Sequence, residues 1–294
     1  MYAGIARETK MEIPDKRRSV VRTRVFGSIV SLAALAAVVL IVSMSASGQE
    51  KSVPGKAKGK GTAARAGGPA PRLADGKPDF SGVWSPDRNL IYDISDALKK
   101  GEDLPIQPWA LKVTREHMSK DDPEARCLPT GVPRLAPYPW TIAQTPKNVY
   151  FLFEGNIHSY RQIFMDGRQH TEDPNPTWYG ESIGHYEGDT LVVDTTGFND
   201  KFWFDFAGHP HTAKLHTIER YRRPDSLNLT WETVVDDAGA YTKPFTVYGH
   251  STIQENTDLM EYICQENNLD VSHIVGKDPR NKEGRAAEAQ QGKP

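Results

Sequence analysis

The sequence lacks several motifs that identify large enzyme classes. It contains no G-x-x-x-x-G-K-[ST] phosphate-binding loop, no glycine fingerprint of a dinucleotide-binding fold and no H-E-x-x-H zinc motif. These absences disfavour ATP use and cofactor-dependent redox chemistry, so no cofactor is predicted. It also lacks a charge excess, because 36 Lys and Arg face 38 Asp and Glu and the net charge is −2. A dedicated nucleic-acid binder would carry a strong basic excess, so no nucleic-acid partner is expected.

Cysteine is scarce as well. The two cysteines, Cys127 and Cys264, lie far apart in the sequence, which does not suit a metal-binding knuckle. In an oxidising compartment they could form one disulfide bond that joins distant parts of the domain. The alternative is a pair of buried thiols.

The chain has one long hydrophobic run, at residues 25–42, and it carries no charge. A basic stretch precedes it and small residues follow, which is the order of a secretory signal peptide, with cleavage predicted after Gly48. Its 18 residues are also close to the lower length for a membrane span, so attachment to the membrane through residues 25–42 is the alternative. Either interpretation of residues 1–48 predicts an exported protein, periplasmic or extracellular.

Polar segments flank the region that is expected to fold. Residues 49–77 are rich in Gly, Ala, Pro and basic residues and are predicted to be a disordered linker. Residues 277–294 are similarly polar and are predicted to be a disordered tail. The folded domain is therefore predicted over residues 78–276.

Within that domain the pattern is mostly β. Short alternating segments are separated by turns such as Glu187-Gly188-Asp189, where glycine supplies the positive φ of a tight hairpin. Short links favour antiparallel neighbours, so we predict an antiparallel meander that forms a barrel or a sandwich. One or two short helices are predicted before it, at 93–99 and 108–118. The predicted strands are 140–145, 148–154, 157–165, 177–186, 189–196, 214–222, 227–235, 244–253 and 258–265.

Histidine, acidic and aromatic residues concentrate between Tyr160 and His216. Asp166 and Gly167 form a predicted turn, next to which Arg168 could clamp an anionic group and His170 could act as an acid or base. The alternative is a hairpin tip with solvated charges.

Asp194 follows a run of valines, so it is predicted to be a buried carboxylate that acts as a base or orients a histidine. The alternative is an Asp that caps its own turn.

Two further histidines, His211 and His216, lie close together in the sequence. His209 precedes them, and the His-x-His pair of His209 and His211 could bind a metal, but Pro210 between the two favours a loop, so no metal site is predicted. A metal-free acid/base role or a structural role is the alternative. On the predicted strand 214–222, His216 and Arg220 share a face with Ile218 and Arg222, whereas Glu219 lies on the opposite face.

Aromatic residues accompany these polar groups and predict the walls of a ligand pocket or a plug at the barrel end. The predicted catalytic residues are His216, His211, His170, Asp194, Asp166 and Glu219. The predicted substrate-binding residues are Arg168, Arg220, Trp178, Tyr179 and Trp203.

Nine sequence motifs between residues 78 and 274 resemble those of a family of exported bacterial proteins of unknown reaction. They are DFSGVW, CLPTGVPR, DGRQH, PTWYGESIG, EGDTLVVDTTGFND, GHPHT, LHTIERYRR, AYTKPF and EYICQEN. Members of that family often carry an aromatic residue in place of His185, and Cys-His-Glu-Gly-Asn in place of residues 264–268. The resemblance therefore implies that neither His185 nor a histidine at position 265 is essential. Gly82 and Trp84 also resemble the Gly-x-Trp opening of lipocalin-like barrels, which implies a meander barrel.

Two main functions follow from these observations. In the first, an exported β-barrel-like protein binds a small apolar or aromatic molecule in a pocket lined by His, Arg and Asp. In the second, the same residues carry out metal-free acid/base chemistry, as in a hydrolase, isomerase or dehydratase. A structural protein of the cell envelope is a third interpretation.

Overall fold

The computed structural model describes residues 67–86, 89–135, 138–155, 159–266, 268–269, 271–274 and 276. The predicted signal or anchor at 1–48, the first part of the predicted linker and the predicted tail at 277–294 lie outside the described residues. Within the described ranges, no helix has the length and apolar character that crossing a membrane requires.

Nine strands of the described residues form one closed barrel, which confirms the mostly β prediction. The strands are hydrogen-bonded in chain order, and the first closes the ring against the last. They are β1 (Val83–Pro86), β2 (Trp140–Gln144), β3 (Asn148–Phe153), β4 (Tyr160–Phe164), β5 (Glu181–Glu187), β6 (Thr190–Thr196), β7 (His216–Arg222), β8 (Asn228–Asp236) and β9 (Phe245–Gln254).

Short helices precede β2, as predicted. Helix α1 (Asn89–Tyr92) leads into a 3₁₀ turn at Ile94–Ala97, which Asp93 caps by accepting a hydrogen bond from the Ser95 amide. Helix α2 (Pro108–Glu116) begins at a proline, which suits a first helical position because that amide has no partner inside a helix. Further 3₁₀ turns lie at Ser119–Asp121, Pro123–Arg126 and Val271–His273.

Two strand assignments differ from the prediction. The DFSGVW segment supplies β1, which was not predicted as a strand and which pairs with both β2 and β9. The prediction of a strand at 258–265 is wrong. β1 lies between β2 and β9 and closes the ring, so the barrel has no free edge with which another strand could pair. Met260 is instead 69% exposed, and its amide donates to Glu154 at 3.0 Å.

One of the nine strand pairs is parallel, whereas all were predicted to be antiparallel. Each antiparallel pair reverses the strand direction, and one full circuit of a closed ring must restore the original direction. The number of antiparallel pairs must therefore be even. A ring of nine strands therefore requires a parallel pair, and β4–β5 is that pair. The link between them, residues 165–180, is longer than the roughly twelve residues that a parallel crossover needs. Only two register positions join these strands, Ile163 with Ser182 and Phe164 with Ile183.

The barrel interior is filled by side chains. Alternation places Leu191, Val193 and Thr195 of β6 inside, and Asp194 outside. Large aromatic rings occupy the centre and contact one another edge to face or stacked, which leaves the interior as a packed core. The main aromatic members are Trp84, Trp140, Phe151, Tyr221 and Trp231.

The loop between β6 and β7 joins the same core. Phe198, Phe202 and Phe204 are buried and belong to the core cluster. This loop leaves the barrel at the end where β6 stops and β7 starts, so its aromatic side chains extend the core at that end. Of the two roles predicted for the aromatic residues, pocket walls or a plug at the barrel end, this arrangement fits the plug for Phe202 and Phe204.

Part of the predicted linker contacts the barrel. The Gly68 carbonyl accepts a hydrogen bond from the Ser226 amide at 2.9 Å. Arg72 makes two hydrogen bonds to the Asp189 carboxylate in the β5–β6 turn, at 2.8 and 2.7 Å. Residues 67–77, which the sequence assigned to the linker, therefore lie against the barrel.

Cys127 and Cys264 are joined by a disulfide bond that spans 137 residues. Cys127 ends the 3₁₀ turn at Pro123–Arg126 in a left-handed conformation, and Cys264 lies in the segment that was predicted as a strand. The bond ties the C-terminal segment to the region between α2 and β2.

Candidate functional site

A cleft opens in the barrel wall where β4 and β5 meet. Because only two register positions hold this pair, the first half of β4 diverges from the chain that leads into β5. The resulting cavity of about 640 Å³ lies between β4 and residues 177–182. We call it the seam cleft. Its aromatic walls and polar groups include Tyr160, Phe164, Trp178, Tyr179, Glu181 and Arg161.

The segment that carries Trp178 and Tyr179 is fixed from both sides. The Thr177 amide donates to the Gly197 carbonyl at 3.0 Å, and the Asn199 amide donates to the Thr177 carbonyl at 2.8 Å. Gly180 adopts a φ of +65°, and a Cβ there would lie 2.5 Å from the Thr196 carbonyl oxygen. Glycine is therefore needed at this position to place the two aromatic side chains.

Tyr179 forms a rigid part of the cleft wall. Its hydroxyl lies 2.8 Å from the Ser159 hydroxyl, and its ring stacks on Phe153 with centroids 5.8 Å apart. Burial raises the pKa of the Tyr179 hydroxyl well above its ordinary value, although Ser159 and Arg161 oppose the shift. The phenol therefore stays neutral and acts as a hydrogen-bonding group.

A buried ion pair lies behind the cleft, inside the barrel. Arg161 Nη1 donates to Glu219 Oε1 at 3.0 Å, and Nη2 is bonded to the other oxygen. Arg161 also donates to Ser182 at 3.0 Å and to Thr195 at 2.7 Å, while the Tyr221 hydroxyl donates to Glu219 at 2.6 Å. Each charged group is thus neutralised and hydrogen-bonded, as burial requires.

The electrostatics of this pair favour the ionised form of the arginine. Burial is the largest single effect and disfavours the charged guanidinium, but the attraction of the Glu219 carboxylate and its hydrogen bonds, with smaller contributions from Tyr221 and Tyr179, together raise the pKa of Arg161. Glu219, which was predicted as a catalytic residue, is fully buried by this pairing and does not contact the exposed histidines described next.

Three of the predicted catalytic residues lie together on the outer face of the barrel. His216 Nε2 lies 2.8 Å from Asp194 Oδ1, and His170 Nε2 lies 3.0 Å from the same oxygen. We call these three residues the imidazole cluster. The Asp194 side chain is 39% exposed, so the prediction of a buried carboxylate is wrong. Val192 lies on the same outer face as Asp194 but is buried. The residues before Asp194 are therefore all buried, although they alternate between the two faces of the strand.

Glu181 connects the imidazole cluster to the seam cleft. Its carboxylate accepts hydrogen bonds from the Thr171 amide at 2.7 Å and the Thr171 hydroxyl at 2.8 Å, and lies 3.4 Å from His170 Nδ1. Partial burial opposes ionisation, but the hydrogen bonds from Thr171 and His170 lower the pKa of Glu181 below its ordinary value. The cleft therefore carries an ionised carboxylate at its rim.

Other predicted site residues form surface ion pairs. Arg168 donates twice to Asp166, and its guanidinium lies 3.8 Å from the Phe164 ring centroid beside the cleft. Arg220 is paired with Glu187 on the outer face and does not line the seam cleft.

The remaining predicted residues, His211 and Trp203, lie in the loop between β6 and β7. The His211 ring packs between Phe202 and Phe204, with centroid distances of 3.9 and 5.2 Å, and is 4% exposed. Burial lowers the pKa of His211 to about 4, so the ring is neutral. Trp203 stacks on His117 with centroids 4.1 Å apart. Neither residue reaches the imidazole cluster.

One group in the described part of the chain has the composition of a metal site. Ligand atoms of Asp93, Asp205 and His209 all lie within 4.8 Å of one another, and all three residues are buried. However, the Asp205 carboxylate already accepts four hydrogen bonds, from the Ile94, Gly208 and His209 amides and from His209 Nδ1. These bonds occupy its lone pairs, so the group is explained as an internal brace of the loop.

Residues 180–184 read GESIG and match the G-x-S-x-G spacing of a nucleophile elbow. The context does not fit, because that motif requires a sharp turn from a strand into a helix. Ser182 instead lies within β5, points into the core and is 1% exposed. Its hydroxyl accepts hydrogen bonds from Arg161 and Thr195, so it positions the buried ion pair.

Sequence reasoning missed four members of the site, namely Tyr160, Arg161, Phe164 and Glu181. For Arg161 a signal was present, since strand alternation puts it on the same face as Ile163 and an inward arginine needs an inward carboxylate. For the cleft itself no local signal exists, because it results from the divergence of β4 and β5.

Comparison with known proteins adds no relative. No family model, no curated protein and no solved structure matches the chain. The resemblance to the exported bacterial family therefore stays a prediction that rests on the motifs themselves.

Proposed function

We propose that the protein binds a small aromatic or apolar molecule in the seam cleft. The observation that carries this proposal is a cavity of about 640 Å³ that is lined by four aromatic side chains and has a few fixed polar groups. Ligand pockets of small molecules typically have volumes of roughly 300–1,000 Å³ and this same mixture of walls and polar groups. The barrel interior is packed with side chains, which favours the cleft over the centre of the barrel as the binding place.

The predicted export of the protein is consistent with ligand binding. The disulfide between Cys127 and Cys264 is of the kind that persists in oxidising compartments, which fits a periplasmic or extracellular protein. Such a protein would meet its ligand outside the cytoplasm.

We expect neutral aromatic molecules to bind at Trp178. With indole as the probe, ligand-observed NMR on the full chain should detect binding, and Trp178→Leu should weaken it by about tenfold because one aromatic wall is lost. Tyr160→Ser should also weaken it, and the Tyr160 side chain is 59% exposed, so the fold should tolerate that change.

The matched control is Trp109→Leu, which removes a 43% exposed tryptophan outside the cleft. It should leave indole binding unchanged. Equal weakening by Trp109→Leu and Trp178→Leu, or no binding of indole to the wild-type protein, would contradict the proposal.

A second candidate, acid/base catalysis, is favoured by the convergence of two imidazoles on Asp194 Oδ1 beside the cleft. With 4-nitrophenyl acetate as a general ester probe, an enzyme should lose most of its hydrolysis rate in His216→Gln and Asp194→Asn. His185→Gln is the control, because His185 is an exposed histidine of β5 outside the imidazole cluster. If the protein only binds a ligand, the wild type and the three variants should hydrolyse the ester at equal rates.

A further inference from the structure

The carboxylate that lines the seam cleft is not paired with an arginine. Arg161 is paired with Glu219 and Arg168 is paired with Asp166, so each arginine is neutralised by its own carboxylate. Glu181, in contrast, lines the cleft as an ionised group that is hydrogen-bonded only to Thr171 and His170 among the contacts described above. Asp194 next to it is likewise held by imidazoles. Among the described residues, neither Glu181 nor Asp194 forms a salt bridge with an arginine.

The aromatic walls are suited to a cation. Aromatic faces attract positive charge through the ring quadrupole, most strongly for tryptophan. Phe164 already holds a guanidinium, because Arg168 lies 3.8 Å from its ring centroid. The ring of Tyr160 is more than half exposed at the cleft, and Trp178 lines the opposite side.

We propose that the seam cleft selects an organic cation of the quaternary ammonium type. This inference rests on the ligand-binding function proposed for the same cleft and adds the class of ligand. The aromatic walls would contact the methyl groups of the cation, and Glu181 would supply the compensating charge.

The hydrogen bonds of Glu181 distinguish a quaternary ammonium group from a primary amine. Oε1 accepts from the Thr171 hydroxyl, and Oε2 accepts from the Thr171 amide and lies close to His170. A primary ammonium group must donate its N–H groups to acceptors, and these contacts already use much of the carboxylate. A quaternary ammonium has no N–H group, so it needs only the charge and the aromatic faces.

Choline and 3,3-dimethylbutan-1-ol provide a direct test, because they have the same shape and differ by a nitrogen cation in place of a carbon. Titration of the full chain, followed by calorimetry or by ligand-observed NMR, should show choline binding at least tenfold more tightly than the alcohol. Glu181→Gln should weaken choline binding by about tenfold and leave the affinity for the alcohol unchanged. The matched control is Glu187→Gln, an exposed carboxylate of the same strand that should leave both affinities unchanged.

The outcomes separate this inference from the proposed function. If the alcohol binds as tightly as choline, or if indole binds and choline does not, the preference for a cation is overturned while ligand binding stands. If indole, choline and the alcohol all fail to bind, both the inferred cation preference and the proposed ligand-binding function are contradicted. Should Glu181→Gln not fold, the wild-type protein still decides, because choline affinity must fall with rising salt concentration if charge contributes, whereas affinity for the alcohol must not.

Discussion

Replacing Arg161 with methionine is expected to lower the free energy of unfolding by about 3–5 kcal/mol. The substitution leaves the Glu219 carboxylate buried with no counter-charge, and only the Tyr221 hydroxyl remains to hydrogen-bond it. Denaturant unfolding of the disulfide-bonded protein, followed by tryptophan fluorescence, measures the loss.

A double variant shows whether the uncompensated charge is the cause. Arg161→Met combined with Glu219→Gln removes both charges, so it should be more stable than Arg161→Met alone. A double variant that is less stable than the single variant would contradict this explanation. Arg220→Met is the matched surface control, because Arg220 and its partner Glu187 are both partly exposed, and it should cause a much smaller loss.

The stability of the wild-type protein is expected to fall by about 3 kcal/mol between pH 6.5 and pH 4 on account of His211 alone. Burial between Phe202 and Phe204 lowers the pKa of His211 from 6.5 to about 4 in the folded state. Above pH 6.5 the ring is neutral in both states and contributes no pH dependence. As the pH falls below 6.5 the unfolded state takes up a proton that the folded state does not, so unfolding becomes easier until the pH reaches about 4.

The variant His211→Phe isolates this contribution, because phenylalanine keeps the aromatic packing and does not titrate. It should lose less stability than the wild type between pH 7 and pH 4, and the difference between the two losses should be about 3 kcal/mol. Carboxylates titrate equally in both proteins and cancel in that difference. An identical pH dependence in the wild type and in His211→Phe would disprove the assignment.

Local patterns in the sequence predicted the hairpins and the faces of most strands. The Glu187-Gly188-Asp189 turn joins β5 and β6 as expected, and the outward set on β7 is the predicted one of His216, Ile218, Arg220 and Arg222. Both signals act within a few residues, because turn geometry and side-chain alternation are local properties of the backbone.

The parts that were not predicted depend on contacts between distant segments. The contact of His170 with Asp194 follows from the path of the β4–β5 crossover, which alternation does not specify. The pairing of Arg161 with Glu219 joins residues 58 positions apart, and the sequence had suggested a catalytic role for Glu219 instead. The parallel β4–β5 pair beside the seam cleft follows from the parity of a nine-stranded ring, a property of the whole barrel.

The position of β1 also determines when the molecule can be completed. β1 comes first among the nine strands of the described residues, yet its two partners are β2, which starts at Trp140, and β9, which ends at Gln254. The remaining strands can assemble from neighbouring hairpins, but ring closure needs β9 and the disulfide bond of Cys127 needs Cys264. Contacts of such long sequence separation form slowly, so ring closure by β1 and β9 should be a late step in the folding of the barrel.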